Sequence, residues 1–255
     1  MAARFCGSAR CRLCRSHSSV VTAEHRSIDP AAYNRRVTYS AVKKVAEANF
    51  PTRWGQFRIY GFEGDFQAPS NNGSSAGPNG SGQAALGKEA AIALVMGDIH
   101  SAPPLVRIHS QCLTGDVFHS MRCDCRQQLE LALSMIAEAG AGVLLYEQQE
   151  GRGIGLMAKL QAYELQDNGL DTVEANNELG YDNDYREYKL PAEMLRQLGL
   201  TEVRLISNNP DKVAALENAG IKVVERVSAQ VEAYEHSEAY LRTKKEKMGH
   251  LFTGW

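Results

Sequence analysis

The sequence predicts an α/β fold: a mixed sheet with helices packed on it, in a single main domain that has a β-hairpin region at its N-terminal side. Two observations carry this expectation. After Cys125, amphipathic stretches alternate with short apolar runs, and glycines fall between helix and strand. Before Cys112, short β-like runs are separated by turn-prone segments.

Val45–Phe50 and Gln56–Phe62 flank Pro51-Thr52-Arg53-Trp54-Gly55 and read as a hairpin. Residues 64–88 are rich in Gly, Ser, Asn and Pro and read as a flexible loop insertion. Ala90–Met96 and Leu105–His109 read as buried strands. A helix fits Gln127–Ala139, with Leu129, Leu133 and Ile136 on one face, and Gly140 is placed to end it in a left-handed conformation. Val143–Tyr146 reads as a strand. A second helix fits Ile154–Gln166, with Leu156, Leu160 and Tyr163 in register. A helix–Gly–strand unit runs through Met194, Gly199 and Val203–Ile206, and another from Pro210 through Gly220 to Val223-Val224. Ser237–Met248 reads as a polar surface helix. No repeat of fixed period is present. Residues 1–40 read as an N-terminal extension without stable structure: Arg4, Arg10, Arg12, Arg15 and Arg26 sit among serines, and no amphipathic apolar face accompanies them. The catalytic domain is expected over 41–251.

The formal charge is -2 over 255 residues, with acids and bases balanced. A polyanion binder would carry a basic stripe, so nucleic acid is not an expected partner. The longest clean apolar run, Ala90–Met96, is too short to span a bilayer, so a membrane is not expected either. A cytoplasmic protein is the resulting expectation.

The six cysteines fall into two groups. Cys6, Cys11 and Cys14 lie in the extension, where Cys11-x-x-Cys14 has no second pair to complete a zinc motif. Cys112, Cys123 and Cys125 lie mid-chain. Cysteines one residue apart are poorly placed to bridge each other, yet both thiolates can converge on one metal, with Cys112 as a third ligand. Three ligands leave zinc a position for water, whose pKa then falls from about 15.7 to about 7. On spacing alone, a closed site with His109 or His119 as fourth ligand is equally consistent. Arg107, His109, Asp124 and Gln128 crowd the same stretch, more polarity than a structural knuckle needs.

Two strand–helix junctions suit anions. Glu150-Gly151-Arg152-Gly153-Ile154-Gly155 offers backbone N–H groups and Arg152. Asn208-Asn209-Pro210-Asp211-Lys212 puts proline at a helix N1 position and adds Lys212 and Ser207. Asp184-Tyr185-Arg186 lies in the polar stretch Tyr181–Tyr188, which alone reads as a solvated loop; an Asp and an Arg so spaced could also supply a base and a phosphate-directed group.

Together these segments resemble the GTP cyclohydrolase II family, the stand-alone bacterial type in particular. The matching blocks are Arg107-Ile108-His109-Ser110, Cys112-Leu113-Thr114-Gly115-Asp116, Arg122-Cys123-Asp124-Cys125, Gln149-Glu150-Gly151-Arg152, Leu165-Gln166-Asp167, Asp171-Thr172-Val173-Glu174-Ala175-Asn176, Asn208-Asn209-Pro210 and Lys247-Met248-Gly249-His250. The resemblance implies a zinc-dependent hydrolase that opens the imidazole ring of GTP at C8 in riboflavin synthesis, releasing formate and pyrophosphate. It implies zinc ligation by Cys112, Cys123 and Cys125, and Mg²⁺ with the triphosphate. It implies Asp184 as proton acceptor, Arg186 as nucleophile at the α-phosphorus, and Tyr163 in completing deformylation. GTP contacts are implied at Arg107, Ile108, His109, Ser110, Gln111, Gln128, Glu150, Gly151, Arg152, Thr172, Ser207 and Lys212. A cytoplasmic homodimer is the family's usual state.

Three positions depart from the family pattern. Gln111 stands where Glu is usual and lacks a carboxylate's basicity. Arg126 replaces a glycine just after the third cysteine, where an added side chain could crowd the metal mouth or contact phosphate. Ser207 replaces threonine and keeps the hydroxyl. Two other readings follow: a weakened relative that senses a guanine nucleotide, and a zinc-stapled interaction module with no nucleotide affinity.

Overall fold

The structure, a computed structural model, describes residues 38–67, 86–182, 184–231 and positions 242, 245, 246, 249 and 251. Its centre is a seven-stranded mixed sheet in the order β1-β2-β3-β5-β4-β6-β7. The strands are β1 (Thr38–Thr52), β2 (Gly55–Gln67), β3 (Leu86–Met96), β4 (Leu105–Ser110), β5 (Gly142–Glu147), β6 (Glu202–Ile206) and β7 (Lys222–Val227). β1, β2 and β3 form an antiparallel meander that joins β5 antiparallel, whereas β5, β4, β6 and β7 run parallel.

Period-two alternation sorts the strand side chains into two cores. Val106, Ile108, Val143, Leu145 and Leu205 share one face with Leu190, Met194 and Leu195 of helix α4 (Lys189–Gln197) and Leu216 of α5 (Pro210–Asn218). Leu105, Leu144 and Ile206 face the other way, against Ala132, Leu133 and Ile136 of α1 (Cys125–Ala139). Helices α2 (Leu156–Asp167) and α3 (Thr172–Glu178) pack on each other. Gly140 caps α1 at φ 71° as its position predicts, and Pro210 stands at the first turn of α5 behind the N-cap Asn209. Among the described residues, no helix is long and apolar enough to cross a membrane.

The hairpin arms are longer than expected. Residues 64–67 and 86–88, read as loop, are paired strand: Gly64 opposes Glu89, Asp65 opposes Lys88 and Gln67 opposes Leu86. Glycine and charged residues are poor strand formers, but cross-strand partners override propensity. Lys88 bridges Glu63 at 3.1 Å across this pair. The rest of the expected insertion lies outside the described residues. β1 likewise starts at Thr38, ahead of the expected domain start; the rest of the N-terminal extension, including Cys6, Cys11 and Cys14, and most of the expected helix 237–248 also lie outside them.

α2 corrects a second expectation. Leu160, placed on its buried face by periodicity, is 42% exposed, and the buried residues are Ala158 and Ala162. Small side chains one turn apart let this helix sit close over Ile154 and Tyr181, which a leucine face would hold further away.

Candidate active site

The polar residues gather at the carboxyl ends of the parallel strands. The chain passes from β4 to β5 on one side and then returns to β6 on the other. Loops leaving neighbouring strands diverge at such a switch point and leave a crevice. The crevice here is a cavity of about 570 Å³, within the range of small-molecule sites.

Cys112 follows β4, and a π-helical turn, Leu113–Val117, folds the chain back toward Cys123 and Cys125 at the start of α1. The three sulfurs lie within 4.8 Å of one another, and Cys112 and Cys123 are 3.7 Å apart. A zinc–sulfur bond of about 2.3 Å places two sulfurs of a tetrahedral site about 3.8 Å apart, so the spacing fits that ion. Gly115 keeps the cradle clear: a Cβ there would lie 3.1 Å from the sulfurs of Cys112 and Cys123. Hydrogen bonds from Cys123 and Cys125 pull the Cys112 thiol far below the usual range, whereas the bonds to Cys112 and Cys123 push Cys125 up. Three sulfurs compete for protons that a divalent cation would displace. No other His, Cys, Asp or Glu among the described residues joins this group. His109, one of the two alternatives for a fourth ligand, is engaged elsewhere: its Nε2 lies 3.2 Å from both carboxylate oxygens of Asp116.

Asp116 organises the wall beneath the sulfurs. Its Oδ2 accepts the Cys112 N–H at 3.0 Å and the Tyr146 hydroxyl at 2.8 Å. Tyr146 stacks on His109 with 5.5 Å between centroids. Burial lowers the His109 pKa despite the Asp116 contact. The neutral ring then donates from Nε2, and Nδ1, which has no protein partner among the described residues, is left as an acceptor. Next along β4, Arg107 donates to Ile206 O at 3.0 Å and to Gln128 Oε1 at 2.6 Å, and Gln128 in turn bonds Asp124. These contacts orient Arg107 and Gln128 toward the cavity that both line.

The loop after β5 forms the opposite wall. Gly151, Arg152, Gly153 and Gly155 all have positive φ, a run that glycine accepts without cost and that Arg152 holds at φ 61°. The Glu150 carboxylate is already used: it accepts Leu113 N–H at 2.6 Å and Lys159 at 2.6 Å. Thr172 opens α3 behind a capping box formed by Asp171 and Glu174. Ser207, after β6, accepts Asn209 N–H at 3.0 Å, and Leu251 donates to Asn208 O at 2.9 Å beside the cavity.

Asp184 and Arg186 form a bidentate pair, with Arg186 Nε 2.9 Å from Oδ1 and 3.1 Å from Oδ2. Burial works to raise the Asp184 pKa, but the guanidinium outweighs it and the carboxyl stays below its usual range. The Tyr163 hydroxyl meets Thr114 Oγ1 at 3.3 Å, and burial pushes its pKa up to about 12.

Fold and motif thus bring the expected residues to one place. Arg107, His109, Ser110, Gln111, Gln128, Glu150, Gly151, Arg152, Tyr163, Thr172, Arg186 and Ser207 line the cavity together with all three cysteines. Ile108, Asp184 and Lys212 do not. Ile108 is buried in the α4/α5 core, and Lys212 is buried with its ammonium on Ile108 O at 2.8 Å.

Residues 43–228 match the family described as GTP cyclohydrolase II. GTP cyclohydrolase-2 of Enterobacter sp. (strain 638) is 51% identical over 213 residues, 83% of this chain and 98% of that one. The chain belongs to the GTP cyclohydrolase II family. GTP cyclohydrolase-2 of Escherichia coli strain K12 / DH10B is also 51% identical, over 82% of this chain and 97% of its own. Riboflavin biosynthesis protein RibBA of Bacillus velezensis is 48% identical over 88% of this chain and 51% of its own length. As a member of this family, the protein is a hydrolase of riboflavin biosynthesis.

Several residues of the site were not evident as such in the sequence. Asp116 stands in a recognised block, but its bonds to His109 and Tyr146 depend on tertiary pairing. Asn176, the last residue of a recognised block, and Lys159 also line the cavity, and nothing in the local pattern marks Lys159. The Asp171-x-x-Glu174 capping box was a readable signal for α3. Arg126 neither crowds the sulfurs nor lines the cavity: it donates to Asp116 O at 2.6 Å and to Glu130 at 2.7 Å, tying the π turn to α1.

Proposed function

We propose that the protein hydrolyses GTP at C8 of guanine, releasing formate and pyrophosphate and leaving 2,5-diamino-6-(5-phosphoribosylamino)pyrimidin-4(3H)-one, the first step of riboflavin biosynthesis. The observation that carries this reading is the opening of the three-sulfur cluster onto the same cavity as Arg107, Gln128 and the 150–152 loop. Cys112, Cys123 and Cys125 would hold zinc, which supplies an acidified water near neutral pH.

The chain's own groups do the rest. Arg107, Ser110, Gln111 and Gln128 fix the base and ribose, and His109, held by Asp116, forms the wall beside them. Backbone groups of Glu150–Arg152, with Thr172 and Ser207, receive the triphosphate with Mg²⁺ as its counter-ion. Ile108 and Lys212 act from beneath the wall, Lys212 Nζ holding the Ile108 carbonyl at 2.8 Å. Arg186 attacks the α-phosphorus as pyrophosphate leaves, Asp184 takes its proton, and water then frees the phosphate ester. Tyr163, beside Thr114, assists loss of the formyl group. Catalysis takes place in the cytoplasm in a homodimer. Exposed Val117, Phe118 and Met121 on the metal loop, with Met157 and Leu160 on the adjoining α2, support a partner surface.

The test is incubation of purified protein with GTP and Mg²⁺, with formate, pyrophosphate and bound zinc measured in one sample. Formate and pyrophosphate are expected together. Nucleotide bound without formate would favour the sensor reading, and the lack of any GTP-dependent thermal shift would favour the interaction module.

A further inference from the structure

Lys159 lies in the first half of α2, with its side chain 12% exposed. Its ammonium donates to Glu150 Oε1 at 2.6 Å and to Cys112 Sγ at 3.1 Å, and stands 5.7 Å from the Tyr163 ring centroid. The other Glu150 oxygen accepts the N–H of Leu113, the residue after Cys112. A continuous chain therefore runs from the backbone of the metal loop through Glu150 and Lys159 to the sulfur of its first cysteine. Burying an ammonium costs free energy unless it is paired, and here the pairing is shared between a carboxylate and a sulfur.

We propose that Lys159 is a positioning residue of the metal centre: its ammonium tempers the Cys112 sulfur as a metal ligand and holds it toward Cys123 and Cys125. The proposal rests on reading the three cysteines as metal ligands. Three thiolates around a divalent cation carry a net charge of -1, which weakens the cation as a Lewis acid. A charge-assisted hydrogen bond to one sulfur draws electron density back and offsets that charge. The same bond fixes the χ1 rotamer of Cys112 from a rigid helix rather than from the loop that bears it. α2 thereby serves the metal as well as the cavity wall.

The experiment uses the full chain loaded with cobalt(II), whose thiolate-to-metal charge-transfer absorption reports the sulfur directly. Lys159→Met is expected to move that band to longer wavelength, because a sulfur without its donor gives electrons more readily. Turnover with GTP is expected to fall at least about tenfold, with KM changed less than about threefold. Glu150→Gln alone keeps the ammonium on the sulfur and is expected to leave the band in place. Should Lys159→Met fail to fold because Glu150 is stranded, the double variant Lys159→Met/Glu150→Gln removes the pair together and is expected to show the same band shift. A parent band with no shift in either lysine variant overturns the proposal, as does a large rise in KM with an unmoved band, which would make Lys159 a ligand contact. A parent with no charge-transfer band at all overturns the metal reading itself, and the proposal with it.

Discussion

Asp116 is placed so that one buried carboxylate sets the Cys112 backbone, the Tyr146 hydroxyl and the His109 tautomer together. Leaving buried donors unpaired costs about 1–3 kcal/mol each. Asp116→Ala is therefore expected to lower stability by more than about 2 kcal/mol, read as a fall in the denaturant midpoint; a shift below about 0.5 kcal/mol would show the hub to be dispensable. Asp184 behaves differently, because its partner Arg186 sits at the cavity wall and the carboxylate is partly exposed. Its lowered pKa contributes stability present above the unfolded carboxylate pKa and lost as pH falls through the folded value. Solvent screening keeps that contribution below about 1 kcal/mol. Asp184→Asn should thus melt close to the parent at pH 7 while losing at least about a hundredfold in pyrophosphate release. Equal losses in stability and turnover would argue for a merely structural pair. Tyr163→Phe removes one hydroxyl from the cavity and is expected to let a formylated product accumulate, detected by mass; an unchanged formate yield would reject its role.

At the scale of elements, the π turn and the start of α1 act as one clip. A Cβ at Gly115 would press on the sulfurs of Cys112 and Cys123 at 3.1 Å. Gly115→Ala is expected to lose most of its zinc by elemental analysis while the sheet keeps its far-UV signature; full occupancy would show that the cradle yields. Arg126 secures the same clip from α1, away from the ligand. Reverting it to glycine is expected to cost about 1 kcal/mol of stability through the lost bond to Asp116 O and to leave the KM for GTP within about twofold. A KM change of tenfold would mean that its guanidinium reaches the phosphates after all. The small face of α2 explains why the expected leucine face failed: helix periodicity shows that a helix forms, whereas the neighbour it meets decides which face is buried.

Across the whole molecule, stability is divided. The two cores on either side of the sheet are built from apolar side chains that need no metal, while the 112–125 clip carries the three sulfurs that are proposed to hold the cation. Structural zinc is worth roughly 10–16 kcal/mol in small sites, comparable with the total stability of a domain at about 5–15 kcal/mol. Chelation is expected to raise amide exchange over residues 112–128 while β5 and β6 stay protected. Uniform loss of protection would show that clip and sheet fold as one unit.

Much of this was legible in the chain itself. The strands from Ala90 onward, α1 with Gly140, Pro210 at the head of α5, and the three cysteines follow from local rules: side-chain periodicity, caps and ligand chemistry act within a few residues. Family motifs marked most of the cavity wall for the same reason, since each motif is short and contiguous. What the tertiary structure alone decided were pairings over long separations. These include the strand order that brings β4 between β5 and β6, the extension of the hairpin arms into residues 64–67 and 86–88, the bond of Asp116 to Tyr146, and the reach of Lys159 to Cys112. Each depends on a partner far along the chain, whose distance is set only when the sheet closes and the cores exclude water.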